Sequence, residues 1–209
     1  MQIESGDGAA SFAVGTERIA AFSDGVIAII ITIMVLELKL PETAADADLW
    51  SGFLAPLAPK LAIYALSFLI VGAHWVNHHL LLTVVRRATP QVMWLNLLLL
   101  FFLSLVPLAT SFLGEHPQAP RAVAFYALIM TLCSSVFGFM RYRLGRLPYH
   151  DRGHVQFRSA TLLRSLASTV LYATAAIAAA FSPSAALALL VFVPAMFNIP
   201  MLLQRGGQG

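Results

Sequence analysis

"RIAAFSDGVIAIIITIMVLEL", residues 18–38, decides how this chain is read. From Gly25 to Leu36 it carries no charge, and five isoleucines fall within those twelve positions. A helix rising 1.5 Å per residue needs about 20 apolar residues to cross a hydrocarbon core of about 30 Å. The first turns nevertheless hold Arg18, Ser23 and Asp24, and ionisable groups in a span face a bundle interior or water rather than lipid.

The rest of the chain extends the pattern. Runs of similar character cover about 19–39, 56–80, 90–113, 121–141, 160–181 and 184–203. The 209 residues are 59 % hydrophobic and 11 % charged, less than half the charged share of an ordinary soluble domain. An all-α polytopic membrane protein with six transmembrane helices is therefore expected. Residues 1–16 read as a flexible N-terminus, 17–203 as one six-helix domain and 204–209 as a tail. The acidic, polar opening is unlike a signal peptide. The single Cys133 excludes an internal disulfide and reads as a packed thiol.

A pI near 9.4 raises the question of nucleic acid, and the placement of charge answers it. With six spans, ten basic residues fall on the side of the termini: Arg18, Arg86, Arg87, Arg141, Arg143, Arg146, Arg152, Arg158, Arg164 and Arg205. The other side holds Lys39, Lys60 and Arg121. This bias puts both termini in the cytoplasm. The loop "RYRLGRLPYHDRGHVQFR" is thus a topology signal that can also touch anionic headgroups, and it lacks the aromatic interleaving of a nucleic-acid surface. Pro41 should end the first helix, and Pro107 should kink the third near its outer end. Only "SPS" joins the last two helices, which predicts a tight, alanine-rich antiparallel hairpin.

At 100° per residue, Phe22, Gly25, Ile29, Thr32 and Leu36 share one face of the first helix, with Ile33 at its edge. Asp24 lies about 140° from Ile29 and six residues from Arg18, a poor spacing for a pair within one helix. Its partner is expected on a neighbour. "HWVNHH" offers His74, Asn77 and His78 at the matching depth of the second helix, and "MWLN" offers Trp94 and Asn96 at the start of the third. A buried polar cluster joining the three helices is inferred. Asp24 reads as an anchor rather than an ion or proton site, because it looks away from the Ile29 face. His74, His78 and His79 have a spacing that zinc could use but lack an acidic or cysteine co-ligand. Thr32 taken alone reads equally well as a hydroxyl bonded to its own preceding turn.

The stretch Arg-x-x-x-Phe-Ser-Asp ahead of a membrane helix, with "HWVNHH" and "MWLNLLLLFFLSLVPLATSF" after it, resembles the bacterial relatives of transmembrane protein 175, the endolysosomal potassium channel. The likeness is strong over residues 18–112 and only topological over 113–203. The resemblance implies a homotetramer of six-helix subunits around a central pore lined by the first helix. It implies a hydrophobic constriction at Ile29, a hydroxyl ring at Thr32, a further apolar layer at Leu36 and Ile33 beside them. Arg18, Phe22, Ser23 and Asp24 match the signature, whose residues form an interhelical network. No Thr-Val-Gly-Tyr-Gly filter occurs, so a potassium-permeable leak channel of modest selectivity is expected. Glu37, Glu42, Asp46 and Asp48 would gather cations at the outer mouth. Expected partners are the lipid bilayer, monovalent cations and further copies of the chain, in a bacterial plasma membrane, with no cofactor, metal or nucleic acid. A proton-coupled secondary transporter using Asp24 and His74 is the alternative, set back by the absence of a broken helix pair. An intramembrane hydrolase built on Ser23, Asp24 and His74 is disfavoured, because adjacent Ser23 and Asp24 diverge by about 100°.

Overall fold

The computed structural model describes residues 14–39, 48–83, 87–146 and 155–204. The first run forms helix α1 (Thr16–Ile33), which tightens into a 3₁₀ turn over Met34–Glu37. A π-helical turn, Leu49–Leu54, leads into α2 (Ala55–Thr83). The third run is divided into α3 (Pro90–Ser104) and α4 (Val106–Glu115), and α5 (Pro120–Leu144), α6 (Val155–Ala178) and α7 (Pro183–Gln204) follow. Two-residue strands β1 (Val14–Gly15) and β2 (Arg87–Ala88) pair antiparallel. The described residues begin with strand β1 at Val14–Gly15, inside the stretch 1–16 expected to be a flexible N-terminus.

The breaks follow from backbone chemistry. Pro107 has no N–H to offer the Leu103 carbonyl, and the helix interrupts at Leu105, whose N–H turns to Phe102 O at 3.2 Å. Thr89 caps α3 through its Oγ1, which accepts from Val92 N–H, with Pro90 at the first helical position. Residues 179–182 form the turn between α6 and α7, where the Ser182 hydroxyl accepts from Ala185 N–H. Asp48 caps the π-helical turn, and the N–H of Ser51 holds its carboxyl below the ordinary value. Pro41, Glu42, Asp46, Arg86, Arg152 and Arg205 lie outside the described residues.

Three contacts fix the directions of the helices. The β1–β2 pair holds the start of α1 beside the α2–α3 connection. At the other end the Lys39 ammonium donates to Glu115 Oε1 at 2.8 Å, tying the end of α1 to the end of α4. That bond raises the Lys39 pKa. There too Ser184, at the start of α7, donates to Gln118 in the α4–α5 turn. The helices therefore run up and down. Five of the six runs are helical segments long and apolar enough to cross a membrane. In α7 the described apolar stretch is the shorter Pro183–Pro194.

The core sits around α5. Val123, Tyr126, Met130, Cys133 and Met140 are buried there against α3, α4, α6 and α7. Gly138 allows α6 to come close, since a Cβ on it would stand 3.4 Å from Ser165 Cβ. Arg141 spans the same seam, its Nη1 donating to Thr161 O and Ser165 Oγ at 2.7 Å while its guanidinium lies over the Phe137 ring. Deeper in, Ser67 of α2, Thr110 of α4 and Tyr126 of α5 form a buried hydroxyl cluster. Tyr126 Oη and Ser67 Oγ are 2.9 Å apart, and Thr110 donates to Ser67 Oγ at 2.8 Å.

Ser67→Ala leaves the buried Tyr126 hydroxyl without its partner, whereas Tyr126→Phe removes one bond and leaves Ser67 bonded to Thr110 and the Ile63 carbonyl. Ser67→Ala should therefore cost about 1–2 kcal/mol and Tyr126→Phe less. Thermal unfolding midpoints of the two variants in detergent check the order, which fails if Tyr126→Phe is the weaker protein.

Candidate functional site

Helix α1 has two opposed faces. Ile19, Ser23, Ile27, Ile30 and Met34 are buried against the subunit, at steps of three and four. Across from them, Phe22, Gly25, Ile29, Thr32, Ile33 and Leu36 are exposed, Ile29 by 58 % and Leu36 by 76 %. The helix has ample apolar side chains on both faces, and what selects the inward one is polar. Ser23 is buried and donates to Ile19 O at 2.8 Å, a turn back. Its oxygen then accepts from Asn96 Nδ2 at 2.9 Å. Asn96 Oδ1 meets His78 Nε2 at 2.7 Å. As a carbonyl oxygen can only accept, His78 carries its proton on Nε2. The result is one chain of bonds through α1, α3 and α2, with all three side chains buried. Among the described residues, His78 Nδ1 is buried with no hydrogen-bond partner.

Asp24 makes a second link beside the first. Trp75 Nε1 of α2 donates to its Oδ1 at 2.7 Å, and His79 Nδ1 lies 3.9 Å from Oδ2. The Trp75 and His79 rings are neighbours, with centroids 6.0 Å apart. The carboxylate is only partly covered, its side chain retaining 37 % of its exposure. It is thus held at the rim of the junction rather than sealed within it.

Of the residues expected in the cluster, Ser23, Asp24 and Asn96 come together with α2. His74 and Asn77 are on the right helix but are used differently. His74 Nδ1 meets Ile70 O at 2.9 Å and its ring packs edge-on against Phe137 of α5, which puts it toward the core. Asn77 donates to Ala73 O at 2.8 Å in its own helix. Trp94 is 73 % exposed, and Arg18 stands exposed in the first turns of α1. His78 shared the sequence stripe with His74 and Asn77 and is the member that crosses to α3. Trp75 had no place in that stripe, although an indole N–H within a span needs an acceptor and Asp24 needs a donor. That complementarity was the available signal. Among the described residues, no three His, Cys, Asp or Glu side chains gather as a metal would require.

Thr32 donates to the carbonyls of Ala28 and Ile29, each at 3.0 Å. The proton is thereby turned into the helix, and the oxygen presents acceptor capacity outward. The exposed face of Ile29, Thr32 and Leu36 is consequently apolar on either side of one hydroxyl acceptor.

Residues 18–107 match the family described as the endosomal/lysosomal potassium channel TMEM175, a stretch that runs from Arg18 through α2 and α3 to Pro107. A potassium channel of Chryseobacterium sp. (strain P1-3) is 48 % identical over 53 % of this chain and 55 % of its own length. A potassium channel of Streptomyces collinus is 38 % identical over 62 % of this chain. The chain thus spans 55 % and 64 % of the lengths of these two relatives. Among solved structures, that of a lysosomal potassium-selective channel TMEM175 homolog from Chamaesiphon minutus superposes with a TM-score of 0.78 at 29 % identity. It covers 88 % of this chain and 97 % of that one.

Asn96→Ala should destabilise the protein by about 1–3 kcal/mol, because it leaves the buried His78 Nε2 without its partner and removes the bond that ties Ser23 to α3. Asn77→Ala removes only a bond within one helix and should stay within about 0.5 kcal/mol. Paired thermal melts of the two variants decide whether α1 is locked through Asn96, and equal losses would refute the lock.

Proposed function

We propose, from the match of residues 18–107 to the TMEM175 potassium channel family and the likeness to potassium channels, that this chain forms a potassium-permeable cation leak channel. In this reading four copies assemble, each with six transmembrane helices and both termini in the cytoplasm of a bacterial plasma membrane. Their α1 helices surround the ion path. The observation that carries it is the bare strip of α1: a single subunit buries Ser23 and leaves Ile29, Thr32 and Leu36 uncovered. Gly25 lies on the same strip, and a Cβ there would meet nothing within its own subunit. A small residue at that position suits close approach of neighbouring helices.

Four Ile29 side chains around an axis form a hydrophobic constriction, where dewetting rather than a plug of protein stops ions. The Thr32 oxygens, their protons already given to backbone carbonyls, replace part of a cation's hydration shell one turn further on. Ile33 and Leu36 extend the apolar lining. With one hydroxyl per subunit and no ring of backbone carbonyls, discrimination between potassium and sodium is modest. Ser23, Asp24 and Asn96 act behind the strip, holding its rotation. Asp24 takes no part in conduction, because Trp75 draws it to the other side of the helix.

Reconstitution in planar bilayers under asymmetric potassium and sodium tests the reading. Stepwise cation currents are expected, and saturable exchange flux without unitary steps would mark a carrier instead. Ile29→Asn should wet the constriction and raise conductance at least several-fold. Thr32→Ala should move the reversal potential toward that of an unselective pore. A folded Ile29→Asn protein with unchanged current removes Ile29 from the gate.

A further inference from the structure

Helix α5 is the most buried of the spans, yet one narrow strip of it is uncovered along its length. Leu128, Ser135, Phe139, Tyr142 and Arg146 are exposed, at steps that keep them within about 60° of one another. The strip is apolar through its middle. Leu128 and Phe139 are about half exposed, and the Ser135 hydroxyl is spent on Thr131 O at 2.7 Å. At the arginine-rich end its character changes. Phe139 and Tyr142 stack with centroids 6.3 Å apart, the Arg146 guanidinium lies 4.5 Å from the Tyr142 ring centroid, and its Nη2 donates to the Tyr142 hydroxyl.

Arg146 differs from its neighbour Arg141, whose guanidinium is committed to the α5–α6 seam through Thr161 and Ser165. Among the described residues no carboxylate pairs with Arg146, and Tyr142 is the acceptor its guanidinium meets. A planar fork of donors placed beside the Tyr142 ring, with one N–H given to its hydroxyl and the rest open, is suited to a phosphate. From Ser135 to the end of α5 at Leu144 the helix rises ~14 Å, close to the ~15 Å depth of one leaflet's hydrocarbon, and Arg146 lies in the turn just beyond.

We propose that the arginine-rich end of the α5 strip is a binding site for one anionic phospholipid, its phosphate on Arg146 and Tyr142 and an acyl chain along Phe139 and Ser135. The lipid fits on two counts. A soluble phosphate would have no use for the apolar strip, and a partner helix would have no use for an arginine fork at the point where the hydrocarbon ends. Ordinary interfacial tyrosines and snorkelling arginines tolerate any headgroup, so this site is distinguished by a preference for net negative charge.

Native mass spectrometry of the full chain in detergent, supplied with equal dioleoyl-phosphatidylglycerol and dioleoyl-phosphatidylcholine, reads that preference. The wild type should retain phosphatidylglycerol roughly fivefold over phosphatidylcholine, the size expected of one arginine beside an anionic headgroup. Arg146→Gln should bring the ratio to about one. Tyr142→Phe keeps the ring, loses the hydroxyl and should fall between, which tests the site even if the arginine variant folds poorly. Arg121→Gln, at the opposite end of α5, should leave the ratio intact. Equal retention of both lipids by the wild type overturns the proposal, as does an equal loss in Arg121→Gln, which would reduce the preference to net charge. Disulfide cross-linking of two copies through Ser135→Cys would make the strip a subunit seam and overturn it as well.

Discussion

The arrangement of this protein depends on the rule that a polar side chain inside an apolar span must find its bond there. Ser23 and Asn96 are the residues on which that rule acts most directly. In α1 nearly any rotation would bury isoleucine, so hydrophobic packing alone leaves its orientation almost free. A hydroxyl and an amide that must meet at 2.9 Å do not. Rotating α1 by one residue, about 100°, would carry Ser23 out of reach and leave the buried Asn96 amide N–H without its acceptor. The energy of each bond within a membrane is modest, on the order of 1 kcal/mol. Its service is directional.

Once the rotation is set, the remaining contacts set position along the axis. The β1–β2 pair holds one end of α1 against the connection between α2 and α3, and Lys39 to Glu115 holds the other end against α4. The latter pair is exposed and contributes little stability on its own. Between these ends, Met34 in the 3₁₀ turn is fully buried while Leu36 two positions on is the most exposed of the strip's large apolar residues. The tightened turn thereby separates an anchoring methionine from an outward leucine within less than a helical turn. The core around α5 does a different task. It packs small and aromatic side chains against α6 with Gly138, and gives the helices that carry α1 a stiff backing.

How much of this could be read from residues alone follows from what a helical period contains. Spacing of three and four gives direction about a helix's own axis, which is why Ile29, Thr32 and Leu36 could be grouped, with Asp24 opposed to them. The kink ahead of Pro107 was equally local, written in one residue's backbone chemistry. A contact between helices needs the rotation and the rise of a second helix as well. Those are not in the period, so His74 and Asn77 were drawn into the cluster from the right stripe, while the bond fell to His78. Trp75 to Asp24 and Ser67 to Tyr126 to Thr110 share that cause, since each joins residues more than forty positions apart. The two-residue strands were hidden for another reason. Val14–Gly15 and Arg87–Ala88 carry no strand pattern, and only the closeness of two helix ends brings them together.

A helix pinned in rotation by Ser23, and at both ends by contacts to α2–α3 and α4, has little freedom to turn as a rigid body. Under the proposed reading this bears on how such a path opens. A gate that worked by rotating α1 would have to break the Ser23–Asn96 and Trp75–Asp24 bonds and leave the buried Asn96 amide without its acceptor, on the order of 1–3 kcal/mol for each subunit. An isoleucine on the free face changes rotamer at far smaller cost, and water entering or leaving a narrow apolar ring needs no backbone movement. The same anchoring that exposes the strip therefore favours a gate made of side chains and water over one made of moving helices.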